Sequence, residues 1–321
     1  MSVRARLSTP AGRAAALAVI DLVGESEEQL ASALERIGAG KIGIGSVKLA
    51  NFAGIDRGLA VRWSGCFAQL TPHGGVAVVE ALLTVLRDLD IEIVQDLEPI
   101  AAFPEARSQV EAHALAAFGT AQSPLAVDLL LAQHGLWSRG DRGLDSELTD
   151  RDRRLGFLIE PPLVVVAGPP NVGKSTLLNA LAGRELSLAA DEPGTTRDHV
   201  GALIDLGGLV VRWADTPGLR DAEGPESEAI SIARDLIRDA DFVIAVGDAG
   251  SADPRGVLGC EAGLVAALRA DLGAPGWAFG CSVSVQDGRG IAEFVAMVRD
   301  SLVPPGDLAL GEPWKFWADQ A

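Results

Sequence analysis

The sequence predicts an α/β protein: a doubly wound, mostly parallel sheet carrying a phosphate-binding loop, preceded by a smaller α+β domain. Three observations carry that expectation. The run Gly168-Pro169-Pro170-Asn171-Val172-Gly173-Lys174-Ser175-Thr176 satisfies G-x-x-x-x-G-K-[ST]. It lies between an apolar, strand-like run (163–167) and a helical one (176–181), the context such a loop requires. From Phe157 onward strand and helix patterns alternate, whereas before about residue 100 they do not.

In chain order, the spacing of apolar residues predicts a strand over 15–22 and a helix over 26–37, with Glu27, Glu28 and Glu35 on its polar side. A short strand is expected over 42–47, a longer one over 59–70, a helix over 74–89 and a last strand over 91–94. Segments 105–117 and 125–137 have helical periodicity, separated by Gly-Thr-Ala-Gln-Ser-Pro. The charged, glycine-containing stretch 138–154 reads as a linker. Beyond it strands are expected over 163–167, 199–206, 209–213, 242–246, 264–268 and 277–282. Helices are expected after the loop, over 226–239 and over 291–302, where Pro304-Pro305 stops the last. The domains then run 1–100 (α+β), 101–155 (reduced helical segment and linker), 156–305 (the phosphate-loop domain) and 306–321 (tail).

Composition narrows the class. The 321 residues suffice for two ordinary cores, and 48% hydrophobic content fits a globular protein. No apolar run reaches the ~18 residues of a membrane span, and the acids after Ile20 argue against a signal peptide. Cys66, Cys260 and Cys281 are odd in number and far apart, which suggests a reducing, cytoplasmic setting without disulfides or zinc. A net charge of −17 argues against a broad, sequence-independent hold on nucleic acid. His73, beside two glycines and far from the other histidines, reads as a turn stabiliser.

The loop implies a bound nucleotide. Backbone N–H groups from Asn171 to Thr176, including those of Val172 and Gly173, wrap the phosphates. Lys174 reaches the outer two, and the Ser175 hydroxyl ligates magnesium. Downstream motifs recur at the spacing of a P-loop GTPase domain. Thr195 and Thr196, in Gly194-Thr195-Thr196-Arg197-Asp198, can complete the magnesium shell, with Thr196 as the ligand. Asp215, opening Asp215-Thr216-Pro217-Gly218, holds the ion through water, and the Gly218 N–H senses the γ-phosphate. A guanine reader normally has N-K-x-D; here Leu268-Arg269-Ala270-Asp271 keeps only the aspartate. Asp271 is the candidate base reader, a solvated turn residue the alternative. Ser284-Val285 stands for the S-A element that caps the base.

These motifs resemble the tRNA-modification GTPase family MnmE, also called TrmE. G-x-P-N-x-G-K-S, G-T-T-R-D at 194–198 and D-T-x-G-L-R at 215–220 are typical of it. Thr9-Pro10-Ala11-Gly12-Arg13 looks like the family's opening T-P-P-G-R, and Pro72-His73-Gly74-Gly75 like its G-H-G-G turn. The resemblance covers about 5–100 and 157–303 and suggests a shortened or divergent member. It implies GTP and GDP as ligands, magnesium, a potassium ion held by Asn171 beneath a closing loop (190–195), and hydrolysis when two G domains meet. It also implies a homodimer through the N-terminal and G domains and a partner protein in tRNA modification; from the apolar runs, no membrane association is expected. Glu228, or Glu226 in competition, would orient the attacking water; Lys174 and Thr196 complete the catalytic set.

The chain also departs from the family. The helical domain is reduced to roughly 104–137, and the ending at Ala321 lacks the family's cysteine motif. Positions that grip a formyl-tetrahydrofolate fall on Ile20 and either Gly65 or Gln69, where the family has an arginine and a glutamate. The expectation is a magnesium- and potassium-dependent GTP hydrolase that does not complete the tRNA chemistry alone. A nucleotide-gated switch with little turnover and a P-loop ATPase are the alternatives.

Overall fold

A computed structural model describes residues 3–9, 11–12, 14–183, 202–216, 226–258 and 260–317, with side chains at 226–232 and 257 left out. The chain divides into two compact units, residues 1–116 and 117–321.

The first unit is built on a six-stranded sheet. Its elements are β1 (Arg4–Leu7), β2 (Ile20–Val23), α1 (Glu27–Ile37), β3 (Ser46–Phe52), β4 (Asp56–Arg62), β5 (Phe67–Thr71), α2 (Val76–Asp88) and β6 (Glu92–Ile93). The strand order is β3-β4-β5-β2-β1-β6, and only the β1–β6 pair is parallel. Leu30, Leu34 and Ile37 of α1 and Leu82, Leu83 and Leu86 of α2 pack against Ala5, Ile20, Leu22 and Leu70 of the sheet. The Ser26 hydroxyl caps α1 by accepting the Gln29 N–H.

Four expectations here need correction. The strand expected over 15–22 is confined to Ile20–Val23, and β1 lies outside every strand the pattern predicts. The strand expected over 42–47 lies further on, at Ser46–Phe52. The run 59–70 is two antiparallel strands, β4 and β5, reversed at 63–66, where the Ser64 hydroxyl accepts the N–H groups of Cys66 and Phe67. The buried Arg62 fixes that reversal by donating to the carbonyls of Ser64, Gly65 and Ile42. His73 does hold a turn: its N–H donates to Asp56 Oδ2 at 2.8 Å and its Nδ1 lies 2.9 Å from Oδ1.

Two helices follow, α3 (Pro99–Ala102) and α4 (Gln109–Thr120), the latter a few residues later than expected. The second unit continues with α5 (Ala126–Arg139), α6 (Asp150–Gly156), β7 (Leu163–Ala167), α7 (Lys174–Ala182), β8 (Ala202–Asp205), β9 (Val210–Asp215), α8 (Glu226–Asp239), β10 (Phe242–Gly247), β11 (Leu264–Leu268), β12 (Cys281–Val283) and α9 (Ile291–Leu302). Its sheet has the order β12-β11-β10-β7-β9-β8, parallel except for β8, which is the doubly wound arrangement the alternating pattern predicts. One sheet face packs Val164, Val166, Ile244 and Val246 against Leu177, Phe294 and Val298. The other packs Val165, Ala167, Val243 and Ala245 against Ala233 and Ile237. The strand expected over 277–282 is confined to Cys281–Val283. Trp277 lies upstream, its Nε1–H donating to the Ser251 carbonyl at 3.1 Å.

The stretch read as a linker is ordered structure. Thr149 and Asp152 form a capping box at the start of α6, and Asp152 is 2% exposed. Its carboxylate accepts from Arg142 (Nη1 at 3.0 Å), from the Thr149 N–H and from the Lys315 N–H at 2.9 Å. The tail beyond Pro305 is therefore part of this unit. Trp314 is fully buried, its N–H donating to Gln133 Oε1 at 2.7 Å, and Lys315 Nζ donates to the Ser146 carbonyl. Burial acts to raise the Asp152 pKa, but the donors from Arg142, Thr149 and Lys315 outweigh it and hold the group at about 2, against an ordinary 3.8.

A depressed carboxyl stabilises the folded state above its unfolded pKa and loses that contribution as pH falls through the folded value. Asp152 should thus contribute roughly 2 kcal/mol at neutral pH, lost between about pH 4 and pH 2. Asp152→Asn should lower stability by about that amount near neutrality and flatten this part of the acid profile, as read from urea unfolding across the range.

Candidate functional site

The loop between β7 and α7 sits at the carboxyl ends of the parallel strands, beside the point where the chain switches from one side of β7 to the other. Its backbone runs so close to β10 that a Cβ at Gly168 would overlap the Val246 carbonyl oxygen, so only glycine passes there. Asn171 (φ 62°) and Gly173 (φ 104°) are both left-handed. Such alternation turns successive N–H groups toward one side and makes an anion-binding concavity at the start of α7.

Lys174 opens α7 and is 8% exposed. Its Nζ donates to the carbonyls of Gly168 (3.2 Å) and Pro169 (3.0 Å), so the ammonium is held over the loop by its own backbone. Burial lowers its pKa, and the nearby Asp215 carboxylate works against that. Ser175 Oγ donates to Asp215 Oδ2 at 2.7 Å. The other oxygen, Oδ1, is buried and has no hydrogen-bond partner among the described residues. A half-buried carboxylate with one oxygen unpaired among the described residues, beside a hydroxyl, suits a hard divalent cation, and magnesium commonly takes one or two protein oxygens, with waters and phosphates completing its shell. The residues present fit that ion.

On the far side of the loop a cavity of about 540 Å³ opens, lined by Asn171, Gly173 and Thr176 from the phosphate side and by Leu268, Arg269, Asp271, Leu272, Val283, Val285 and Gln286 opposite. That volume is ample for a purine nucleoside. Asp271 Oδ1 accepts from the buried Ser284 hydroxyl at 3.2 Å, which joins the two residues read as base contacts. Val172, by contrast, is 3% exposed and packs into the core, leaving only its backbone for phosphate contact.

Arg269 is a site residue that sequence reasoning passed over. Its backbone is left-handed (φ 55°), and its Nη1 lies 3.2 Å from Asp248 Oδ2 and 3.5 Å from the Asn171 carbonyl. It thus ties the base side of the cavity to the phosphate loop. The available signal was an arginine where N-K-x-D has lysine. Thr195, Thr196, Gly218 and the loop from Ala190 to Thr195 lie outside the described residues. Glu226 and Glu228 fall on the first turn of α8, where side chains are not described.

A family model described as a 50S ribosome-binding GTPase matches residues 163–261. The chain is 39% identical over 178 residues to the tRNA modification GTPase MnmE of Methylobacterium radiotolerans, covering 50% of this chain and 40% of the relative. It is 35% identical over 235 residues to the protein of that name from Methylobacterium sp. (strain 4-46), covering 72% and 48%. The chain spans less than half the length of these relatives. Among solved structures, the cytosolic domain of the T. maritima FeoB iron transporter is 27% identical, covers 44% of this chain and 64% of that one, and has a TM-score of 0.34.

Lys174→Ala should weaken guanine-nucleotide binding by about a hundredfold or more, because a buried ammonium at the loop is removed and its charge-assisted bonds to phosphate are lost. Titration with a fluorescent nucleotide checks this, with circular dichroism confirming that the fold is retained.

Proposed function

The chain is a divergent relative of the MnmE family of tRNA modification GTPases, and on that footing we propose that it binds GTP and hydrolyses it to GDP and phosphate. The observation that carries this reading is the Ser175–Asp215 contact, whose second carboxylate oxygen has no partner among the described residues, at the foot of an intact phosphate loop. Ser175, Asp215 and Thr196 would hold magnesium, which when bound supplies charge neutralisation at the outer phosphates. Lys174 exchanges the Gly168 and Pro169 carbonyls for phosphate oxygens, and the loop N–H groups, with Thr176 and Thr195, bind and orient the remainder. Glu228 orients the attacking water, while the Gly218 N–H responds to the γ-phosphate. Asp271, with Ser284 behind it, accepts from the guanine edge.

Asn171 and the loop from Ala190 to Thr195 would hold a potassium ion, and a second copy of the chain, joined through N-terminal and G domains, would pin that loop closed. Ordering such a Gly- and Pro-containing segment costs conformational entropy, which a dimer interface offsets. The biological partner on this reading is a protein of tRNA modification, in the cytoplasm. The chain does not complete that modification alone: Ile20 is fully buried, and Gln69 is engaged by Asp21 and Trp63, so neither offers the charged groups that the family resemblance implies for a folate.

Leu268, where the base reader has asparagine, favours a second reading: a nucleotide-gated switch with little turnover, or an ATPase. Comparing GTP with ATP hydrolysis in potassium and in sodium separates these. The expected outcome is GTP turnover that rises with protein concentration and is several-fold faster in potassium. Asn171→Ala should remove the potassium preference while sparing GDP binding, since Lys174 and Ser175 remain. Turnover independent of concentration and of salt would reject the dimer and cation. In cells lacking the family enzyme, expression of this chain alone should leave the tRNA uridines unmodified, which mass spectrometry of tRNA nucleosides checks.

A further inference from the structure

We infer that Asp248 is a positioning residue for nucleotide binding: it acts through Arg269 to hold the phosphate loop in its binding shape. The inference rests on that loop binding nucleotide phosphates, as proposed above. Asp248 directly follows β10, whose neighbour β7 leads into the loop. Its two carboxylate oxygens have separate tasks. Oδ1 accepts the Gly250 N–H at 3.0 Å, and Oδ2 accepts from Arg269 Nη1 at 3.2 Å. The same Nη1 lies 3.5 Å from the Asn171 carbonyl, and Arg269 Cγ lies 3.6 Å from where a Cβ on Gly173 would stand. Asn171 and Gly173 are the two left-handed residues that shape the loop. One guanidinium therefore ties together the segments that follow β7, β10 and β11.

Asp248 serves as the fixed end of that tie because its own turn is closed. Its N–H donates to Ser251 Oγ at 2.9 Å, and the Ser251 N–H returns to the Asp248 carbonyl at 3.1 Å. Trp277 donates from Nε1 to the Ser251 carbonyl and packs so close to Gly247 that a Cβ there would lie 2.8 Å from its ring.

Arg269 is the movable end, its side chain 47% exposed against 16% for Asp248. A long, exposed side chain samples many rotamers unless a partner selects one. Its contact with the neutral Asn171 carbonyl is longer than an ordinary hydrogen bond and does not make that selection. The Asp248 carboxylate does, through a charge-assisted bond. An ion pair this exposed adds little to folding stability, so its effect falls on the loop it orders.

The test is binding of a fluorescent GDP with magnesium to the full chain and its variants. Asp248→Asn keeps an acceptor for the Gly250 N–H and turns an amide donor toward Arg269, so it breaks the tie and spares the turn. It should weaken GDP about fivefold, mainly through faster dissociation. The thermal midpoint of the nucleotide-free protein should stay within about 3 °C of wild type. Arg269→Ala should weaken GDP about tenfold, since the Asn171 contact goes too. Adding Asp248→Asn to it should change nothing further, because Asp248 acts only through the guanidinium. Asp248→Glu, which keeps the charge, should return GDP affinity to within about twofold of wild type. The inference is overturned, and the nucleotide reading stands, if Asp248→Asn binds GDP as wild type does or lowers the midpoint beyond that range. A further loss in the Arg269→Ala background, or an Asp248→Glu as weak as Asp248→Asn, overturns it equally. A wild-type chain that binds no GDP overturns both.

Discussion

Everything at the candidate site depends on how closely the loop after β7 passes the end of β10. The backbone at Gly168 occupies space that any side chain would contest with the Val246 carbonyl. This close approach sets where the loop begins, and the left-handed residues at 171 and 173 set where it turns into α7. Lys174 is consequently returned over the loop's own carbonyls, and Ser175 is brought to Asp215 at the end of β9. A parallel sheet makes this possible, because β7, β9, β10 and β11 all present their carboxyl ends on one side.

The chain's charge is distributed in keeping with that site. With a net charge of −17 and four lysines, it places two of those lysines in buried positions. Lys174 serves the loop; Lys315 closes the tail against the Ser146 carbonyl. Arginines do the remaining joining: Arg142 at Asp152, Arg62 at the β4–β5 reversal and Arg269 between Asp248 and the loop. A planar guanidinium donates in several directions at once, which suits points where one side chain must hold two segments. The Asp152 network matters because a carboxylate taken out of water is tolerated only when several donors meet it.

Much of this was legible in the residues. The phosphate loop, α7, β7, β10 and α9 follow from local patterns, since an apolar run, a glycine turn and a helical period each declare themselves within about ten residues. Asp215 and Asp271 are legible by their spacing from the loop, whereas their contacts with Ser175 and Ser284 are given only by the structure. The reversal at 63–66 was missed because apolar residues flank it on both sides, and its turn is set by Arg62 and Ser64 rather than by proline or Asn-Gly. Charged residues at 138–154 read as solvated, yet Asp152 is buried among Arg142, Thr149 and Lys315, the last of them 163 positions later.

The sequence by itself determined that this chain has a nucleotide-type phosphate loop in an alternating α/β unit, with an aspartate at the end of a strand to accompany its serine. Only the tertiary structure decided that the tail belongs to that unit, that Arg269 bridges the base side to the loop, and that Gln286 shares a cavity with Asp271. The physical reason is range. A loop and its flanking elements are written in neighbouring residues, whereas the cavity wall is assembled from segments between 171 and 286 whose meeting depends on strand order. Burial of a polar group likewise depends on distant partners, and no local pattern encodes them.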